Sequence, residues 1–210
     1  MDIIQHSPFS AESTSAWVRR FMPLIDKNIG PVLDLACGAG RHTRLLLDAG
    51  YDVWALDKAA SLLEPLRLLG ARCFEHDLEA KRAGATSDES EDWPFEANRF
   101  SAIVVTNYLY RPLLSSLTLS LKADGLLIYE TFSAGNEIYG GPRNPDFLLL
   151  PGELMEYYLS HGTHGRKNHF IAYEDGFVTD PRPAMVQRIC LRSVSVASDL
   201  GTFRGHLDTI

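Results

Sequence analysis

Two aspartates and two glycines between residues 32 and 57 carry the clearest chemical signal in the chain. Residues 32–43 read VLDLACGAGRHT: an apolar run holding Asp34, a turn holding Gly38 and Gly40, and the start of a helix. Turns of this kind bring backbone N–H groups close to a ligand at the carboxyl end of a strand. The phosphate-binding P-loop needs G-x-x-x-x-G-K-[ST], and no such run exists. The dinucleotide fingerprint G-x-G-x-x-G is met at Gly38 and Gly40, but its third place holds Thr43, and a β-branched residue there weakens the close packing of helix on strand. Asp34 also stands just before the turn, where a pyrophosphate would feel its charge. Contact between unit charges near a protein surface is worth about 1–4 kcal/mol, so a carboxylate there favours an ammonium over a phosphate. Asp57 follows roughly 20 residues beyond the turn, the spacing of a carboxylate that takes a ribose diol. The ligand so described has a ribose and a cationic end, and no phosphate.

Positioning these groups requires strands that end together at one edge of a sheet. PVLDLA (31–36) reads as a strand and RHTRLLLDAG (41–50) as a helix closed by Gly50. DVWALD (52–57) is a second strand, followed by the helix AASLLEPLRLLG ending at Gly70. ARCFEHD (71–77), FSAIVVTNY (100–108) and GLLIYETF (125–132) are further strands, with a helix near 112–123 before the last. Strands alternating with helices imply a parallel sheet with right-handed crossovers. Upstream, Trp17, Val18, Phe21, Leu24 and Ile25 follow helical spacing after several Ser/Thr caps, giving an amphipathic helix over 13–29 with a bend at Pro23. Downstream, a helix over 151–162 precedes HFIAYEDGFV and AMVQRICLRSV, two strands joined by a proline-rich turn that suits an antiparallel pair at the sheet edge. KRAGATSDESEDW, polar and acidic, reads as a surface loop. The expected fold class is α/β: a Rossmann-like, doubly wound, mostly parallel seven-stranded sheet with an antiparallel C-terminal strand pair and an N-terminal helix. Residues 1–210 are expected to form one domain, with 1–29 as a helical lid or core segment and 133–150 as a substrate-side loop.

S-adenosyl-L-methionine has the required ribose and cationic end. VLDLACGAGRHTRLLLDAGYDVWALDKAASLL resembles the cofactor half of class I S-adenosylmethionine-dependent methyltransferases, including the small tellurite-resistance-like bacterial group. The resemblance covers roughly residues 30 to 132, with Ala36 where many members carry a first glycine. It implies that Asp34 sits near the methionine ammonium, and that backbone around Ala36, Gly38 and Gly40 lies against methionine and ribose. It further implies that Asp57 holds the ribose hydroxyls, that Asp77 takes the adenine amino group with Leu78 beside the ring, and that Asn107 and Tyr108 floor the methionine end. Asp77 could equally cap a helix, and Asn107 could simply turn the chain.

Methyl transfer from a sulfonium is an in-line displacement, and a strong base is needed only where the acceptor must first lose a proton. Catalytic residues are therefore less diagnostic than cofactor residues. Glu130 and Tyr108 are the candidates at the carboxyl edge. Glu130 could act as a base, bind a cation or only accept bonds from nearby backbone. Tyr110, Arg111, Phe132, Asn136, Tyr139, Arg143 and Asn144 are candidates for holding the acceptor, because they lie just past two strand ends or in the Gly/Asn/Pro-rich segment after residue 132. Trp93 and Phe95 either wall the adenine or pack under the acidic loop. Trp17 either joins the core or faces the sulfonium. His161, His164 and His169 lack cysteine partners and a rigid helical spacing, so no metal site is expected.

The bulk composition agrees with a small-molecule enzyme. With 210 residues, few remain beyond the catalytic fold for recognising a macromolecule, and a net charge of −7 argues against general nucleic-acid binding. No N-P-P-Y motif follows the fourth strand. Cys37, Cys73 and Cys190 form neither a disulfide framework nor a zinc spacing, which fits a reducing cytosol. No basic-then-apolar leader and no apolar run long enough for a membrane span is present. The expectation is a cytoplasmic monomer or homodimer that methylates a small-molecule acceptor, without membrane or nucleic-acid partners. The alternatives are a methyltransferase acting on RNA or protein, and a non-catalytic module that binds S-adenosylmethionine.

Overall fold

A computed structural model describes residues 14–80, 93–162 and 165–195. Most of the acidic segment, His164 and the first thirteen residues lie outside the described residues, whereas Ser15, one of the capping candidates, caps the first helix by accepting from the Trp17 and Val18 N–H groups.

The strands are β1 (Val32–Leu35), β2 (Val53–Asp57), β3 (Arg72–Glu75), β4 (Phe100–Thr106), β5 (Leu121–Phe132), β6 (Arg166–Val178) and β7 (Ala184–Ser195). They form one seven-stranded sheet in the order β3-β2-β1-β4-β5-β7-β6. The first five are parallel, β7 runs antiparallel to β5, and β6 runs antiparallel to β7. The chain reverses its direction of winding between β3 and β4, so β1 and β4 are neighbours and their carboxyl ends flank a crevice, the position where ligands bind in open α/β sheets.

Among the described residues five α-helices cover the sheet: α1 (Ala16–Phe21), α2 (Arg41–Asp48), α3 (Ala60–Leu68), α4 (Leu114–Ser120) and α5 (Glu153–Ser160). Strand alternation sends Val32, Val53, Val104 and Ile128 to one face, where they meet Trp17, Phe21 and Leu46 of α1 and α2. Leu33, Leu35, Ile103, Val105 and Tyr129 go to the other face, against Leu114, Leu117, Leu154 and Tyr158 of α4 and α5.

Three expected elements differ in extent. The first helix stops at Phe21 and tightens into a 3-10 turn over Met22–Leu24, because Pro23 supplies no N–H to continue the helical hydrogen bonding. The helix near 112–123 is shorter, running Leu114–Ser120 after a 3-10 turn at Arg111–Leu113. β5 starts at Leu121 rather than 125, since Leu121 pairs with Phe100 ahead of a register shift.

The aromatic alternatives resolve into packing. Phe95 has its ring 5.8 Å from Trp54, 5.0 Å from Phe74 and 5.0 Å from Phe100. Trp93 packs edge-on against Phe95 and donates its indole N–H to Ser120 Oγ at 2.7 Å. Trp17 is 2% exposed and donates its indole N–H to the Ile189 carbonyl, which makes it core rather than lid.

Candidate active site

β1 ends in a turn built on unusual backbone. Ala36 has φ 50°, Gly38 φ 55° and Gly40 φ 77°, all in the left-handed region that favours glycine. At Gly40 there is no room for a side chain either, because a Cβ would lie 2.3 Å from Leu66 Cδ2. At Gly38 a Cβ would meet nothing within 4 Å, so the backbone there is bare on its open side. Asp57, the last residue of β2, closes the turn. Its carboxylate accepts from Gly38 N–H at 2.8 Å and from Ala59 N–H at 2.9 Å.

A cleft of about 220 Å³ opens between these strand ends, lined by Ala36, Leu56, Asp57, Lys58, His76, Asp77, Leu78, Glu79 and Tyr108. Five of these were named from sequence: Ala36, Asp57, Asp77, Leu78 and Tyr108. Asp77 also shapes the turn after β3, its Oδ1 accepting from Glu79 N–H at 3.1 Å. Leu78 is buried beside it. Tyr108 donates its hydroxyl to Glu79, and burial, followed by that carboxylate, raises its pKa. Asn107 is exposed at φ 57° and donates its backbone N–H to the Glu130 carbonyl at 2.9 Å. Lys58, His76 and Glu79 had no sequence signal, since each is an ordinary polar residue one or two places past a strand or its turn.

Asp34 lies under the turn and not on the cleft wall. It is 1% exposed and accepts from Thr43 Oγ1 at 2.5 Å. Burial raises its pKa to about 6 against the opposing pull of the Thr43 hydrogen bonds. Thr43, the residue that breaks the dinucleotide fingerprint, is thus the partner of the buried carboxylate. Burial also pushes the Cys37 thiol well up, with the carboxylates of Asp34 and Asp57 adding to it.

On the acceptor side most candidates hold the architecture together. Arg111 forks onto Glu153, with Nε to Oε1 at 2.6 Å and Nη2 to Oε2 at 2.9 Å, and donates to the carbonyls of Asp146 and Leu148. Asn136, 2% exposed, donates to the Gly141 carbonyl at 2.7 Å and accepts from Met185 N–H at 3.0 Å. Asn144 caps the short turn Pro145–Phe147. Phe132 packs with Leu148, Ala184 and Val186, and the Tyr139 ring lies 5.1 Å from Phe177. Tyr110 is half-buried against the core. Arg143 is exposed. Glu130 is 7% exposed, and its Oε2 lies 2.5 Å from Arg188 Nε. Arg188 in turn pairs with Glu174, and Glu174 with Arg20. This row follows from strand register, because Arg188 is level with Glu130 on one side and Glu174 on the other.

His161 stacks on Tyr157, and His169 sits in β6 opposite Arg192. Among the described residues no group of His, Cys, Asp and Glu could hold a metal ion, and no helix is long and apolar enough to cross a membrane.

The comparisons with known proteins agree with this geometry. Residues 32–125 match a family model described as a methyltransferase domain. TehB from Haemophilus influenzae is 19% identical with a TM-score of 0.60; the match covers 84% of this chain and only 60% of TehB. A TehB-like SAM-dependent methyltransferase from Corynebacterium glutamicum is 19% identical with a TM-score of 0.55, covering 84% of this chain and 86% of that one. The [4+2]-cyclase SpnF is 14% identical with a TM-score of 0.58, covering 84% and 80%. No curated protein matches the sequence. The chain has the class I S-adenosylmethionine-dependent methyltransferase fold, similar to that of the TehB-like bacterial methyltransferases. Two of the similar structures, from Listeria monocytogenes and Corynebacterium glutamicum, are described as S-adenosylmethionine-dependent methyltransferases.

The residues present fit that cofactor. The cleft offers a rim carboxylate at Asp57, apolar walls at Leu56 and Leu78, and a second carboxylate at Asp77, beside the bare backbone of Gly38.

Proposed function

We propose that the protein transfers the methyl group of S-adenosyl-L-methionine to a small-molecule acceptor by in-line displacement. The observation that carries this reading is Asp57, whose carboxylate is pinned by two backbone N–H groups on the rim of the cleft. A carboxylate held this way keeps lone pairs for a pair of ribose hydroxyls. Asp77 takes the adenine amino group and Leu78 lies along the ring. Backbone at Ala36, Gly38 and Gly40 approaches the ribose and methionine, and Asn107 and Tyr108 floor the methionine end. Asp34 supplies negative charge from beneath the turn, which favours the ammonium.

When bound, the cofactor would supply a methyl carbon activated by a positively charged sulfur and open to in-line displacement by an acceptor's lone pair, the bonding electrons returning to sulfur. Because charge disperses in this step, apolar walls that exclude water assist it. Glu130, paired with Arg188 near the end of β5, and Tyr108 on the cleft are the two candidates for contact with the reacting groups. Tyr110, Phe132, Tyr139 and Arg143 remain available to hold the acceptor. Arg111, Asn136 and Asn144 act on it only through the loop they fasten.

Calorimetric titration of S-adenosylmethionine into wild type and Asp57→Ala tests the cofactor site. Saturable binding that weakens at least about tenfold in the variant is expected, the scale of a lost charge-assisted hydrogen bond. Circular dichroism confirms that the variant is folded. Equal affinities would sink the assignment. Transfer of labelled methyl to members of a small-molecule panel, and not to RNA or protein, then tests the acceptor class.

A further inference from the structure

β3 and β6 are the two edge strands of the sheet. β3 has only four residues, whereas β6 has thirteen, and none of them is buried. Among the described residues β6 pairs with β7 alone. Its outer side is therefore a long row of backbone N–H and C=O groups, a template for another strand. Phe170, Ile171, Ala172 and Tyr173 at its middle are half-buried, and its charges are divided by sign. Arg166 and Lys167 stand at the start, Glu174 and Asp175 toward the end.

This row is complementary to itself. The register with β7 shifts between Phe170 and Ala172, leaving Ile171 as the extra residue of a bulge. Residues level with one another in paired strands share a face of the sheet. Arg166, Asn168, Tyr173 and Asp175 thus share the face of Ile189 and Leu191, while Lys167, His169, Ala172 and Glu174 share that of Cys190. The bulge is what brings Lys167 and Glu174, an odd number of residues apart, onto one face. Turned end for end, a second β6 sets Arg166 opposite Asp175, Lys167 opposite Glu174, Asn168 opposite Tyr173 and His169 opposite Ala172. Every one of these pairs lies on a single face. Residues level with alternate positions of β7 also point their N–H and C=O the same way, so the backbone rows match as well.

The bonds made within the chain leave the charges usable. Arg166 donates to the Leu121 carbonyl at 2.6 Å and to the Asn98 side chain, and Asp175 accepts from Gly152 N–H at 2.9 Å and from the Tyr173 hydroxyl at 3.2 Å, all neutral groups. Glu174 meets Arg188 and Arg20, yet its side chain is still 47% exposed.

We infer that two copies of this chain associate edge to edge through β6, antiparallel about a two-fold axis at the bulge, so that one sheet continues across both. The parallel alternative sets like charges level, and a one-residue slip sets each pair on opposite faces. The interface is independent of the cofactor reading.

Sedimentation equilibrium of the full chain is expected to show a monomer–dimer equilibrium. Lys167→Glu opposes two acidic pairs across the axis and is expected to raise the dimer Kd at least about tenfold, as is Glu174→Lys. An equimolar mixture of the two variants should dimerise as wild type does, because each charge then faces its opposite, whereas a folding defect in either would not be cured by mixing. Circular dichroism checks that each is folded. Hydrogen exchange needs no variant: amides of β6 should slow as wild type is concentrated, and those of β3 should not. A wild type that stays monomeric up to millimolar concentration, a dimer indifferent to Lys167→Glu, folded variants that do not pair on mixing, or protection that appears elsewhere than at β6 would each overturn the proposal.

Discussion

The two halves of the sheet use their polar residues in opposite ways. At the ends of β1 to β4, carboxylates and strained backbone are turned toward a cleft. Asp57 and Asp77 line it, and Ala36 and Asn107 hold left-handed backbone beside the strand ends. At the ends of β5 to β7, polar side chains are mostly spent on one another. Arg111 clamps Glu153 and two loop carbonyls, Asn136 ties the loop to β7, and Glu130 is one rung of an alternating charge row. A buried ion pair is weak evidence for net stability, because desolvation offsets much of the attraction. Its value on this side lies in holding Glu130 in one place. The difference shows that polar residues near a ligand edge are not equivalent candidates. Those free to meet a ligand are the ones whose own bonds go to nearby backbone of the turn.

Three measurements would break or sharpen this contrast. The largest effect is expected at Asp34, where a carboxylate is buried on the cofactor side. Its folded-state pKa, about 6, lies above the unfolded 3.8, so the folded chain holds the proton more tightly. The stability this contributes is present below pH 4 and is lost as pH rises through about 6, on the order of 2–3 kcal/mol. Urea denaturation from pH 4 to 7 should show wild type losing stability relative to Asp34→Asn over that window. Parallel pH profiles would mean that the carboxylate is solvated after all, and the cofactor half would lose its buried charge.

Next in size is Arg111. If it is architectural, Arg111→Met should cost about 1–2 kcal/mol through lost hydrogen bonds to a carboxylate and two carbonyls, and should speed proteolysis between residues 133 and 152. Affinity for S-adenosylmethionine should not change. Unaltered stability with lost acceptor turnover would move Arg111 to the ligand side and erase the contrast.

The smallest effect is at Ala36. An alanine at φ 50° is strained where glycine is not. Ala36→Gly should stabilise the protein by roughly 0.5–1 kcal/mol, read as a rise in Tm, with cofactor affinity preserved. A fall in Tm would show that the methyl group of Ala36 packs usefully on the cleft wall.

Much of the cofactor half was legible before any coordinates. The spacing from Gly38 to Asp57 follows from the length of one helix and one strand, so residue types at fixed offsets suffice to place them. Asp77 and Leu78, at the next strand end, were named through the family resemblance alone. That Asp34 lies under the turn and not on the cleft was not legible, because its strand position says nothing of which side the carboxylate takes. The acceptor half was less readable. Arg111 meets Glu153 across 42 residues of chain, and Asn136 meets Met185 across 49. Partners so distant leave no local pattern.

Sequence alone determined the alternation of strands and helices, the antiparallel pair at the end of the chain, and the identity of the turn after β1. These depend on periodicity, glycine placement and spacing, all of which act over a few residues to one βαβ unit. Only the tertiary structure decided which polar groups face a ligand and which are consumed. That choice is made by register between strands far apart in the chain, as with Glu130, Arg188 and Glu174 in one row, and by burial, which turned Asp34 inward onto Thr43.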